Sequence, residues 1–218
     1  MKNLIIIGAS SQAKVIIDML HVLNDFTIIG IIDIEEKVVL QVMGYNVLGT
    51  EEDILPRLID EYEDLSGILA INDNLQRSAV LQNIKKIAPD FKFAAIVDFS
   101  ATIAESVSIG EGAIIMPGVV VNNSASIGRF CILNTNSSLD YDCVMEDFSS
   151  LASGVTVGGN VTIGHHTAIS LGANIIDGVS IGEHSAIGAG ATVISSVPAY
   201  SVVYGAPAKV MRKREREG

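Results

Sequence analysis

Near the start of the chain an apolar run ends in Gly8-Ala9-Ser10-Ser11-Gln12-Ala13, a turn that opens directly into a helical pattern. A helix beginning there points its first backbone N–H groups at whatever lies above the preceding strand, which is chemistry suited to a phosphate. Ser10 and Ser11 suit helix capping equally well. The later glycines of the dinucleotide fingerprint GxGxxG are replaced by Ser10 and Ala13, so NAD is not expected. Asp33 leaves the second strand where such folds hold a ribose or a base. Cys131 and Cys143 lack CxxC spacing and read as small core residues.

These residues need a scaffold, and the sequence up to 97 supplies one. Strands are expected at 4–7, 27–33, 68–71 and 91–97, and helices at 12–23, 51–62 and 74–88. Continuous apolar runs such as LIII, separated by amphipathic stretches, suit a parallel sheet buried on both faces, so residues 1–98 read as a small Rossmann-like βαβ domain.

From Ile103 the pattern changes to a period of six. Ile103, Ile109, Ile115, Val121, Ile127 and Leu133 begin sixteen unbroken aliphatic positions that end at Val193. Four residues after each stands a small or β-branched residue, Cys131 and Cys143 among them. This register specifies a parallel β-helix of hexapeptide repeats over 103–198, with 199–218 as a C-terminal segment. Three hexads make one coil, so equivalent residues of successive coils stack about 4.8 Å from one another. His166 and His184 should therefore stack at one corner above Phe148, a surface ladder with no metal expected. His21 falls on the first helix and His165 beside His166.

The 218 residues are 49% hydrophobic but only 5% aromatic, as a core of repeated small aliphatic contacts requires. A net charge of -11 would repel a phosphate backbone, which excludes nucleic acid as the expected partner. No apolar run reaches the roughly 18 residues of a membrane span, and a cytoplasmic protein is expected. The tail from Lys209 carries five basic residues, able to attract phosphates or simply to be solvated.

The turn GASSQAKV, the segment IIGIIDI, the hexads containing ILNTNSSLDYD and GVTVGGNVTIG, and the closing YGAPAKV together resemble the sugar acyltransferases of the sialic-acid O-acetyltransferase type. The better-understood relatives in that family N-acetylate nucleotide-linked 4-amino sugars. The resemblance implies a homotrimer of left-handed β-helices that uses acetyl-CoA, with active sites between subunits. It places a nucleotide-sugar, of the UDP type, at Ser10, Ser11, Gln12 and Asp33. It runs the acetyl-CoA arm past Ser150, Gly159, Leu171 and Ala189, and it puts Asn134 in the active-site segment.

Four departures from the family pattern bear on the chemistry. Ser11 and Gln12 stand for its glycine and histidine in the first turn, and Asp98-Phe99 for its His-Pro. Tyr141 stands for the general-base histidine, and Ser150 for a second histidine that meets acetyl-CoA. A phenol with a reference pKa near 10 is protonated about a thousandfold over at neutral pH, so Tyr141 is expected to orient rather than to deprotonate. Proton removal then falls to Asp142 or Asp140, and the missing histidine favours an amine over a hydroxyl as acceptor, because an amine can be neutral unaided. The expected activity is acetyl-CoA-dependent N-acetylation of a nucleotide-linked amino sugar in surface-glycan synthesis. The alternatives are a catalytically silent nucleotide-sugar-binding or scaffolding trimer, and an acyltransferase with another acceptor.

Overall fold

The computed structural model describes residues 1–33 and 40–214. Arg216, part of the basic tail, lies outside the described residues. The chain divides into two compact units, Met1–Ala95 and the residues from Ile96 onward.

The first unit is a six-stranded sheet in the order β3-β4-β2-β1-β5-β6. Its strands are β1 (Lys2–Ile7), β2 (Phe26–Ile32), β3 (Gln41–Val42), β4 (Tyr45–Gly49), β5 (Ser66–Leu69) and β6 (Lys92–Phe93). All pairings are parallel except β3 with β4. Leu4, Ile5, Ile6 and Ile7 are buried on both faces, which is why their run shows no alternation. Three helices connect the strands: α1 (Ser11–Leu23), α2 (Glu51–Glu61) and α3 (Asn74–Ile87). Each is capped by a side-chain oxygen, from Ser10, Thr50 and Asp73 respectively.

Two expectations change here. The β3–β4 hairpin has no counterpart in the sequence reading, because its turn is Met43-Gly44 rather than Asn-Gly or Asp-Gly. Both residues nonetheless take the positive φ that a tight hairpin demands, at 50° and 87°. The single strand expected at 91–97 is two elements: β6 closes the first sheet, whereas β7 (Ile96–Val97) pairs with β10 (Ile114–Ile115) as the first rung of the β-helix. Val97 stands one hexad before Ile103, so the register starts one step earlier than expected and the boundary falls at 95/96, not 98.

The second unit is a stack of two-residue strands, β7 to β23 (Thr192–Val193), arranged in three parallel sheets whose partners are equivalent residues of successive coils, as in Ile114↔Ile132 and Val120↔Ser138. A closing hairpin of β24 (Ser201–Tyr204) and β25 (Lys209–Lys213) joins the first of these sheets. Leu133, Leu139, Leu151, Ile163 and Ile187 point inward with no exposure. Residues at the corners adopt left-handed φ in three vertical columns: Gly112, Phe130, Phe148, His166 and His184; Gly118, Asn136, Gly154, Gly172 and Gly190; and Ser124, Asp142, Asn160 and Gly178. Gly, Asn and Asp bear that conformation at low cost. In the first column ring stacking accompanies it, with centroids 5.2, 5.1, 4.7 and 4.9 Å apart from Phe130 through Phe148, His166 and His184 to Tyr200. The stack of His166 and His184 on Phe148 is as expected, and it extends one ring further at each end.

Truncating an inward aliphatic leaves a hole that rigid two-residue strands cannot close. Leu151→Ala is expected to lower unfolding stability by about 2–5 kcal/mol, read as a shifted midpoint in chemical denaturation.

Candidate active site

In the first unit, β1 is followed by Gly8, where φ is +110° and a Cβ would stand 2.8 Å from the Ala70 carbonyl oxygen. Only glycine lets the chain turn so closely over β5. The Asp33 carboxylate accepts the Ala9 N–H, and Ser10 both donates to the Ala70 carbonyl at 2.7 Å and accepts from Gln12 N at 3.1 Å. These bonds shape a cavity of about 380 Å³ beyond the carboxyl ends of β1, β2 and β5, lined by Gly8, Ser10, Asp33, Glu51, Asn72 and Asp73 among others. The chain steps from β1 to β2 on one side and later to β5 on the other, so the cavity lies at the switch point where open α/β sheets hold ligands.

Of the four substrate-end residues expected from sequence, Ser10 and Asp33 line this cavity. Ser11 is exposed on α1, and Gln12 is buried with neither amide atom hydrogen-bonded among the described residues. Sequence reading missed Glu51, Asn72 and Asp73, although Asp73 carries the ordinary signal of a helix cap after a strand. It also missed Arg77, which is fully buried and donates to the carbonyls of Ile71 and Asn72 and to Asn74 Oδ1, fixing the loop that carries Asn72 and Asp73. A larger cavity, about 720 Å³, opens at the amino ends of the strands around Lys2, Phe26, Tyr62 and Phe91. It contains none of the expected residues.

In the β-helix the remaining candidates fall on separate edges. Tyr141, Asp142 and Gly159 occupy the corner that follows β14 (Ser138–Leu139) and β17 (Thr156–Val157). Asn134, Leu171 and Ala189 lie at the preceding corner, and Ser150 begins strand β16 (Ser150–Leu151). Asn134 donates to the Leu151 carbonyl at 2.9 Å, which fixes its amide. Leu171 and Ala189 are exposed and occupy equivalent positions of successive coils, one above the other.

At the first corner, the ring of Tyr141 lies over Gly159: a Cβ there would come within 2.5 Å of Tyr141 Cζ. The Gly159 N–H donates to Asp177 Oδ1 at 3.1 Å, one coil further. Asp140 is committed, accepting from Asn122 Nδ2 at 2.6 Å and from Tyr141 N at 2.8 Å. Asp142 holds the left-handed φ of 54°, and its exposed carboxylate has no hydrogen-bond partner among the described residues. Beneath them Cys143 donates to the Gly158 carbonyl at 3.0 Å. Burial above all pushes its thiol up, and the charges of Asp140 and Asp142 add to the shift, so it is a packed thiol rather than a nucleophile.

Residues 3–84 match the model of the PglD N-terminal domain family. A GDP-perosamine N-acetyltransferase from Escherichia coli O157:H7 is 29% identical over 137 residues, which are 61% of this chain and 58% of that protein. Thus the chain spans little more than half the length of that relative. The GDP-perosamine N-acetyltransferase of Caulobacter crescentus, solved with CoA and GDP-perosamine as a histidine-to-alanine variant, is 30% identical, with 98% of each chain covered and a TM-score of 0.88. The chain belongs to the nucleotide-linked amino-sugar N-acetyltransferase family. The acetyltransferase domain of PglB from Neisseria gonorrhoeae, solved with acetyl coenzyme A, is similar over 96% of this chain and 99% of that one, at 26% identity and a TM-score of 0.85.

Members of this acetyltransferase family share the α/β domain followed by a left-handed β-helix. In the present member the corner of Tyr141 is built around a glycine. Gly159→Ala is expected to cost about 1–3 kcal/mol by forcing the ring aside. In a double-mutant cycle with Tyr141→Ala most of that cost should vanish, measured by thermal or chemical unfolding.

Proposed function

We propose that the protein is an acetyl-CoA-dependent N-acetyltransferase acting on a nucleotide-linked amino sugar, and that it works in the cytoplasm in the synthesis of surface glycans. The observation that carries this reading is the end-to-end likeness to an enzyme solved with CoA and GDP-perosamine. A cavity at the switch point of the first sheet agrees with it, as does a corner presenting Tyr141, Asp142 and Gly159.

The cavity lining favours guanosine over the uridine expected from sequence. Its charged side chains are the carboxylates of Asp33, Glu51 and Asp73, with no Lys or Arg among the described residues that line it. Carboxylates suit ribose hydroxyls and the adjacent N–H donors of a guanine edge; uracil offers one N–H between two carbonyls that they would repel. The diphosphate then belongs on the side of the cavity away from these carboxylates, at the N-terminus of α1.

For transfer, the neutral amine attacks the thioester carbonyl carbon, the carbon–sulfur bond breaks, and the amine proton passes to the Asp142 carboxylate. Tyr141 orients the acceptor through its hydroxyl. Asn134 belongs to another corner of the same chain, so a homotrimer is proposed, in which the Asn134 corner of one copy faces the Tyr141 corner of the next.

Incubation with acetyl-CoA and GDP- or UDP-linked amino sugars should release CoA, and faster with the GDP series. No release with any amine would overturn the reading. Without a histidine base the rate should rise with pH along the acceptor amine's own ionisation. Tyr141→His should raise kcat by about 10²-fold and add an ionisation near pH 6.5 to the profile. Asp142→Asn should lower kcat by about 10- to 100-fold with little change in KM for acetyl-CoA.

A further inference from the structure

Among the described residues at the Tyr141 corner, the amides of Ser124 and Gly159 donate to side chains of an adjacent coil, and of these only Gly159 donates to a carboxylate, that of Asp177. The neighbouring amides of Asn160 and Asp142 donate to backbone carbonyls, those of Tyr141 and Asn123. A carbonyl acceptor of that kind is fixed by the coil, but a carboxylate on an exposed corner can rotate away. Asp177 is exposed and its backbone is followed by Gly178 at a φ of 72°, so its side chain is held at Gly159 chiefly by this bond. On the other side of Gly159 lies the Tyr141 ring, which closes that approach.

We propose that Asp177 is a specificity-determining residue that competes with the acyl carbonyl of the donor for the Gly159 N–H. This rests on the acetyltransferase reading, which runs the acyl-CoA arm past Gly159. An amide hydrogen satisfies one acceptor well, and an ionised oxygen accepts more strongly than a neutral carbonyl. The donor must therefore displace the carboxylate to reach the amide, and that displacement weakens donor binding. It also penalises CoA without an acyl group less than acetyl-CoA, because only the acyl carbonyl needs this amide. Asp177 so tunes the contrast between substrate and product rather than the chemical step.

The test is calorimetric titration of the full chain with acetyl-CoA and with CoA, comparing wild type with Asp177→Ala and Asp177→Asn. Asp147→Ala is the control, since Asp147 makes the same kind of bond, to Arg129 N at 2.7 Å, at a different corner. Asp177→Ala should tighten acetyl-CoA by about five- to tenfold and CoA by less than about twofold. Asp177→Asn, which keeps an acceptor but loses the charge, should fall between, and Asp147→Ala should leave both affinities unchanged. Unchanged or weaker acetyl-CoA binding in Asp177→Ala would overturn the proposal, as would equal tightening of both ligands, which would signify charge repulsion alone. Failure of the wild type to bind either ligand at millimolar concentration would instead overturn the acetyltransferase reading, and the competition with it.

Discussion

Each coil of the second unit is held by backbone hydrogen bonds to the next coil, as when Ile114 N donates to Cys131 O and Ile132 N to Ser149 O. Everything else in that unit follows from keeping this ladder in step. An aliphatic every sixth residue fills the inside, and a small residue four places later, such as Ser149 or Ala173, lets the chain bend without leaving a void. At each corner from Gly112 to Gly190 one residue adopts a left-handed φ. A one-residue insertion would put every later aliphatic out of register, so the constraint is collective and its trace in the sequence is unbroken.

The same ladder makes columns of side chains, and the columns make the candidate site. Asp142 stands where a left-handed corner favours Asp, Asn or Gly, so its carboxylate projects from a fixed backbone. Tyr141, Gly159 and Asp177 form one column because they hold equivalent places in successive coils; the tyrosine ring fits only because the residue above it has no side chain. The aromatic column of Phe130, Phe148, His166, His184 and Tyr200 shows the alternative use of such a column, as a stacked spine. The net charge of -11 sets a general field over the chain that repels anions, so any attraction for them has to be local.

Much of the fold was legible because periodicity is local. The helices α1, α2 and α3, the strands β1 and β2, and the hexad register can each be read from a short window of sequence. The β3–β4 hairpin escaped because Met43 adopts a positive φ without belonging to the residue types that usually do so. The 91–97 run was divided for a reason no window contains: Phe93 pairs back to Gly67 in the first sheet, whereas Ile96 pairs forward to Ile114 in the β-helix. The candidate site was legible in part. Ser10 and Asp33 could be placed from the strand-turn-helix pattern, but Glu51, Asn72 and Asp73 join them only when three strands align side by side.

By itself the sequence determined the two-part architecture, the coil-on-coil stacking and the absence of a histidine at position 141, since composition and period are properties of the chain alone. Tertiary structure decided which acids remain available. Asp140 is consumed by Asn122 and Tyr141 N, Asp177 by Gly159 N, and Asp142 is left exposed. Those fates depend on small distances between coils, and hydrogen bonding, unlike hydrophobic patterning, is settled only when both partners have been placed.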